Sequence, residues 1–188
     1  MLTTFAVYVD DAPGVLNRVA SLFRRRAFNI ASLTVGHTER DGESRMTVVV
    51  DTDIPPERIE ANLYKLIDVR RVEVLPARQS VARDLAMVKV ATSPASRSEI
   101  MQLVNVFRAR VVDVAPESLI VEITGSEDKV DGLVDVLRPF GILEMVRTGE
   151  VAMARGGTPD TSSDGLRSRL PTTTDSDPNE QEPVSYSV

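Results

Sequence analysis

The chain has 188 residues, a formal charge of −6 and no cysteine. That length suits one sizeable domain or two small ones, and the missing cysteines exclude both a disulfide framework and a thiolate metal site. No apolar run is long enough to span a bilayer and no basic, then apolar, leader opens the chain, so a soluble cytoplasmic protein without a signal peptide is expected.

The charge is unevenly spread. Residues 156–188 hold Asp160, Asp164, Asp175, Asp177, Glu180 and Glu182 against Arg167 and Arg169, a net −4, which leaves −2 for residues 1–155. Bulk charge therefore supports neither nucleic-acid nor membrane binding.

In chain order, Phe5, Val7 and Val9 form one side of a period-2 run that reads as a strand. It breaks at Asp10-Asp11-Ala12-Pro13-Gly14, after which Val15, Leu16, Val19, Leu22 and Phe23 recur at helical spacing. Asp11 is the expected N-cap, with Pro13 in the first turn and Arg24-Arg25-Arg26 at the cation-favouring C-terminal end. A turn at Phe28-Asn29 leads into a strand from Ile30 to Val35. Gly36 to Glu43, with Asp41-Gly42 near its tip, reads as a hairpin loop before a strand over Ser44–Asp51. Asp53 is placed to cap a helix begun by Pro55 and Pro56, with Ile59, Leu63, Leu66 and Ile67 as its stripe. Val69 to Leu75 completes β-α-β-β-α-β, the ferredoxin-like order.

Pro76 to Val81 reads as a linker, and the same order then returns. Asp84–Ala91 is a strand; Ser96 and Glu99 form a capping box ahead of Ile100, Leu103, Val104 and Phe107. Ala109–Val114 and Ser118–Thr124 are strands joined around Pro116. Ser126 precedes a helix with the stripe Val130, Leu133, Val134 and Leu137, ended by Pro139 and Gly141, and Ile142–Val151 is the last strand. The expected architecture is α+β: two tandem ferredoxin-like βαββαβ domains, 1–76 and 82–155, that share element order rather than residues. From Gly156 the chain turns to Thr, Ser, Asp, Pro and Gly without apolar periodicity, which cannot offset the entropy of ordering, so a disordered acidic tail is expected over 156–188.

Chemistry concentrates at the start of the first helix. Gly14 lacks a Cβ, so a small molecule can approach the backbone, and the free N–H groups of the first turn favour a carboxylate. Asp10 and Asp11 oppose a phosphate, but a zwitterion could set its ammonium on Asp11 and its carboxylate on the N–H groups. A well-capped helix after a strand is the competing account of this stretch.

Elsewhere the sequence offers little chemistry. His37 is the sole histidine, with no neighbour that would complete a metal site or a general-base pair. No Walker loop, GxGxxG or Ser-His-Asp pattern is present, and no catalytic or metal-binding residue is assigned. The three arginines are a solvated helix end or a contact for an acidic protein. RNA binding, which this topology can support, needs stacking aromatics that Ser44–Asp51 lacks, while Phe5 and Tyr8 point to opposite faces. An acylphosphatase-like hydrolase needs a cationic first loop where this chain has Asp10-Asp11.

Several long strings resemble one family, the regulatory small subunit of acetolactate synthase (acetohydroxyacid synthase). RVASLFRRRAFNIASLTVG and SRMTVVV resemble the first half of its amino-acid-binding ACT domain, and LYKLIDVRRVEVL the end of it. RDLAMVKV, NVFRARVVDVAPESLIVEITG and LRPFGILEMVRTGEVAMARG resemble its C-terminal domain, so the resemblance spans residues 2–156.

The resemblance implies regulation without chemistry in this chain. The family's small subunit binds a separate large subunit that uses thiamine diphosphate, magnesium and FAD; no cofactor is expected here. It activates that subunit and confers feedback inhibition by a branched-chain product, usually valine. Two ACT domains pair as a homodimer with the effector between them. By position, one side of the site falls on Asp11, Ala12, Pro13, Gly14 and Val15, and the partner side on Asn29 and Ile30. Gly14 and Asn29 match the family pattern, whereas Asp11 stands where relatives carry Asn and cannot donate a hydrogen bond as an amide does. Leu16, Ile30 and Leu33 have the size to enclose an isopropyl group, where one methylene is worth only ~1–3 kcal/mol, so sharp choice among aliphatic amino acids is not expected. Asn29 offers a donor and an acceptor to the effector, or is simply a turn residue. The alternative is a free-standing ACT sensor that acts on a transcription factor or another enzyme.

Overall fold

The computed structural model describes residues 1–156. The chain runs β1 (Leu2–Asp10), α1 (Val15–Arg25), β2 (Asn29–His37), β3 (Glu43–Asp51), α2 (Pro56–Leu63) and β4 (Val69–Leu75). It continues as β5 (Ser80–Ala91), α3 (Arg97–Val106), β6 (Arg110–Val114), β7 (Ser118–Gly125), α4 (Glu127–Leu137), β8 (Ile142–Arg147) and β9 (Val151–Ala154). Two antiparallel sheets result, ordered β2-β3-β1-β4 and β6-β7-β5-β8, each carrying two helices: two tandem ferredoxin-like units. The disordered tail expected from the sequence falls, from residue 157 on, outside the described residues.

Each sheet buries its helix side through the alternation read from the sequence. Phe5, Val7 and Val9 of β1 join Met46, Val48 and Val50 of β3 under Val15, Val19, Leu22 and Phe23 of α1 and Ile59 and Leu63 of α2. Phe28 closes this core edge-to-face on Phe23, with ring centroids 5.8 Å apart. The second core repeats the scheme with Ala86, Val88 and Val90 of β5, Leu119, Val121 and Ile123 of β7, and the expected stripe Val130, Leu133, Val134 and Leu137 of α4.

The helix ends differ from expectation. The N-cap of α1 is Gly14, in the left-handed region at φ 85°, and Asp11 lies three residues earlier. Pro55 rather than Asp53 precedes α2. Ser96 holds the N-cap position of α3 without capping it; its Oγ takes the Ser93 N–H at 2.9 Å instead. Because α2 ends at Leu63, Leu66 turns back against the core while Ile67 is left 90% exposed, outside the stripe assigned to it.

The largest difference lies at the end of the second unit. The single strand expected over Ile142–Val151 is two strands: β8 pairs with the middle of β5, and β9 pairs with Ser80–Arg83 at the start of β5. The segment read as a linker is thus a 3-10 turn over Ala77–Gln79 followed at once by sheet. These extra strands cover the outer face of the first sheet, where Ala6, Leu75 and Ala152 are buried together with Tyr8 and Ala82 packed on them. Tyr8 lies opposite Arg45 on β3 and Arg71 on β4, whose guanidinium carbons sit 5.5 Å and 3.9 Å from its ring centroid. Arg45 also donates to the Ala152 carbonyl at 2.5 Å.

Ala6 is fully buried between β9 and its own sheet, so a larger side chain there must push β9 outward. Ala6→Leu is expected to cost about 1–3 kcal/mol by urea unfolding, the usual range for overpacking. A variant as stable as the parent would mean that β9 does not seal this face.

Candidate functional site

The loop between β1 and α1 is built by its own backbone. The Asp11 N–H donates to the Gly42 carbonyl at 3.0 Å, the Ala12 N–H to Asp10 at 3.0 Å and the Val15 N–H to Ala12 at 3.3 Å. Pro13 has no N–H, so the groups left without a backbone partner among the described residues are those of Gly14, Leu16 and Asn17. The open amides are therefore fewer than a bare helix start would offer, and they sit at the turn's apex.

Gly14 is required twice over. Its φ of 85° disfavours any residue with a Cβ, and a Cβ there would lie 3.2 Å from Nη1 of Arg18. The space above Gly14 is thus shared with a guanidinium one helical turn along. Arg18 is held there by a two-pronged contact with Asp68, Nε to Oδ2 at 2.6 Å and Nη2 to Oδ1 at 2.8 Å. These hydrogen bonds from Arg18 hold the Asp68 carboxyl below the usual carboxylate range, against the opposing pull of desolvation. The same pair raises Arg18 further, so the cation beside Gly14 is permanent.

Asp11, expected to cap the helix, faces the β2–β3 hairpin. Its Oδ1 accepts from the Ser44 hydroxyl at 3.1 Å, and its Oδ2 lies 3.2 Å from His37 Nδ1. Aspartate thus separates serine from histidine, an order in which the histidine cannot take the serine proton; the trio fastens a loop rather than building a nucleophile. His37 has the partner that sequence could not supply. Asp10 is pinned by Arg70, Nε to Oδ1 at 2.6 Å. Both loop carboxylates thereby have partners within the fold.

The other expected residues lie at the far end of α1. Asn29 is exposed at the start of β2, and a bulge between Ile30 and Ser32 brings Ile30 and Leu33 onto the same core. Val15 belongs to that core too, at 3% exposure, and offers no side chain to a ligand, whereas Leu16 is 45% exposed. Eleven residues of helix separate the two groups, about 16 Å at 1.5 Å per residue. One chain therefore does not bring the Gly14 loop and Asn29 to a common small molecule. Arg18, Asp68 and Ser44 went unnoticed in the sequence; only Arg18 left a trace there, four residues beyond Gly14.

Residues 5–71 match the family described as "AHAS small subunit-like ACT domain", and residues 83–156 match "Small subunit of acetolactate synthase". A probable acetolactate synthase small subunit of Archaeoglobus fulgidus is 52% identical over 157 residues, 83% of this chain and 98% of that protein. The chain belongs to the acetolactate synthase small-subunit family. The small subunit of Mycobacterium bovis is 51% identical, over 81% of this chain and 92% of its own length. In three dimensions the chain is similar to the crystal structure of the small subunit from Thermotoga maritima, with a TM-score of 0.80 and 38% identity, covering 84% of this chain and 99% of that one. Among the described residues, no cluster of three or more histidine or acidic side chains could hold a metal ion, and no helix is long and apolar enough to cross a membrane.

The Arg18–Asp68 pair sets a pH dependence. A carboxyl lowered by folding contributes stability that is present above its ordinary range and is lost as pH falls through the lowered folded value. Asp68→Asn should therefore depress Tm at neutral pH. The gap to the parent should begin to narrow below about pH 4, the ordinary carboxylate range, and go on narrowing toward the lowered folded value. Thermal melts from pH 7 to pH 3 check this; a gap of constant size would show that ionisation of Asp68 is irrelevant to stability.

Proposed function

We propose that the chain is the feedback subunit of a cytoplasmic acetolactate synthase: it activates a large catalytic subunit and confers inhibition by a branched-chain amino acid, valine foremost. The large subunit carries the thiamine diphosphate, magnesium and FAD, and this chain serves only regulation. Two copies pair through their first domains, so that the Gly14 loop of one faces Asn29 and Ile30 of the other. The observation that carries this reading is the separation of the two half-sites by the length of α1, because a ligand that uses both needs a second chain.

The chemistry of each half suits a zwitterion. The free N–H groups at Gly14, Leu16 and Asn17, together with the fixed Arg18 guanidinium, form an anion site for the effector carboxylate. Asp11 and the amide oxygen of Asn29 are the acceptors for the ammonium, and Asp11, already serving Ser44 and His37, keeps lone-pair sites to spare. Leu16, Ile30 and Leu33 surround the aliphatic group with flexible, partly exposed surface, which fits loose selection among valine, leucine and isoleucine.

Gly14→Asp tests this directly. The new carboxylate would strain the left-handed residue, draw Arg18 from Asp68 and put a negative charge where the effector carboxylate belongs. The half-inhibitory valine concentration should rise about 10- to 100-fold, the worth of one or two charged hydrogen bonds, while activation persists. The assay needs the large subunit, which should co-purify with the tagged chain. Unchanged inhibition would remove the effector from this loop, and a failure to co-purify would remove the partner.

A further inference from the structure

Residues Thr148, Gly149 and Glu150 join β8 to β9, and they touch both units. On the side of the second unit, Thr148 N–H donates to the Leu85 carbonyl at 3.0 Å, and Arg147 just before it binds Asp84 at 2.6 Å and Asp131 of α4 at 2.7 Å. On the side of the first unit, the Glu150 N–H donates to Ser32 Oγ at 2.9 Å. Thr34 Oγ lies 3.2 Å from the carbonyls of Thr148 and Glu150, and Thr4 Oγ donates to Glu150 Oε1 at 2.8 Å.

The register shows what these bonds span. Ser32 on β2 and Thr4 on β1 both lie opposite Val49 of β3, which is 6% exposed. Glu150 therefore crosses three strands, with its amide on one outer strand and its carboxylate on the inner one. Gly149 lies at φ 81°, and a Cβ there would collide with Ser32 Oγ. Contact this close is possible only for glycine, and it fixes the connector against β2.

Ser32 follows the β2 bulge, and Asn29 and Ile30 precede it. Pairing between β2 and β3 is interrupted at that bulge, so the start of β2 can shift without breaking the whole ladder. We propose that Ser32, Thr34 and the Gly149 backbone form a clasp through which effector occupancy at Asn29 and Ile30 reaches the second unit. Any displacement of β2 is handed to a three-residue segment whose other side is tied to β5 through Thr148 and, through the adjoining Arg147, to Asp84 and to Asp131 of α4. The three are positioning residues that make no contact with the effector themselves. This inference rests on the effector site proposed above.

The test uses the full chain, with L-valine as the probe, and two readouts. Calorimetry measures binding, and amide hydrogen exchange measures protection of Thr148–Ala154 with and without valine. In the parent, valine should bind and change exchange in this segment. In Ser32→Ala, and independently in Thr34→Val, valine should bind as before but leave the segment's exchange unmoved. With the large subunit present, the half-inhibitory valine concentration should rise about tenfold, within the usual span of coupling between sites. Gly149→Ala should act the same way, and the two hydroxyl variants guard against its misfolding. Binding to the parent without any change at Thr148–Ala154, or a change that survives in both hydroxyl variants, would overturn the clasp and leave the effector site standing. No binding of any aliphatic amino acid to the parent would overturn the site itself, and the clasp with it.

Discussion

The structure depends on β1 being buried on both faces. In an isolated ferredoxin-like unit one face of the sheet meets helices and the other meets water. Here Phe5, Val7 and Val9 take the helix side, while Ala6 and Tyr8 meet Ala82 and Ala152. The alternation is thus large-small rather than apolar-polar: Ala6 is small because β9 runs directly over it. Tyr8 contributes a ring that two flanking arginines can cover, so that its amphipathic edge stays compatible with the rim. On this outer face Thr4, Ser32, Thr34 and Arg45 make polar bonds to Thr148, Glu150 and Ala152, and their geometry follows from how closely β9 approaches.

The loop before α1 follows from a different constraint, a left-handed glycine beside a guanidinium. Gly14 lets the chain turn into the helix without a side-chain cap, which leaves amides open. Arg18 adds a positive charge beside those amides, and Asp68, brought from before β4, keeps that charge in place. The hairpin serves the same loop from the other side through Ser44, His37 and the Gly42 carbonyl. A loop held from two directions is ordered in advance, so a ligand at the proposed site would not have to supply the ordering entropy.

What the sequence revealed was whatever repeats locally. Strand alternation in Phe5-Val7-Val9 and the helical stripe Val130-Leu133-Val134-Leu137 depend on neighbours a few residues apart, and both units could be read from them. The bulge in β2 could not, because it is defined by register against β3, and it moves Leu33 onto the core face. The split of the last strand was equally hidden. Thr148-Gly149-Glu150 looks like continuing sheet until Ser80–Arg83, some seventy residues earlier, is seen to claim Val151–Ala154. Asp11 misled for a related reason: it has the composition of an N-cap, but the hairpin competes for its carboxylate and the glycine after it sets the helix start. In the loop, residue type only pointed to the stretch, and partners distant in sequence determined which groups are free.

The site proposed above, divided between the ends of α1 in two copies, would have a thermodynamic consequence. A ligand that bridges two chains binds the pair better than the single chain, so pairing and binding strengthen each other by the same factor. Under that proposal the ligand would also report on geometry, because it would fit only when the Gly14 loop of one copy and the β2 start of the other are correctly spaced. Rigid half-sites sharpen that requirement: the loop is fixed by Arg18–Asp68 and by the hairpin, so adjustment falls on the bulged end of β2. That end is continuous with the strand that carries Ser32 and Thr34, where the second unit is fastened. On the proposed reading the division of labour would be physical: the stiff half would recognise the ligand, and the half with the interrupted ladder would move.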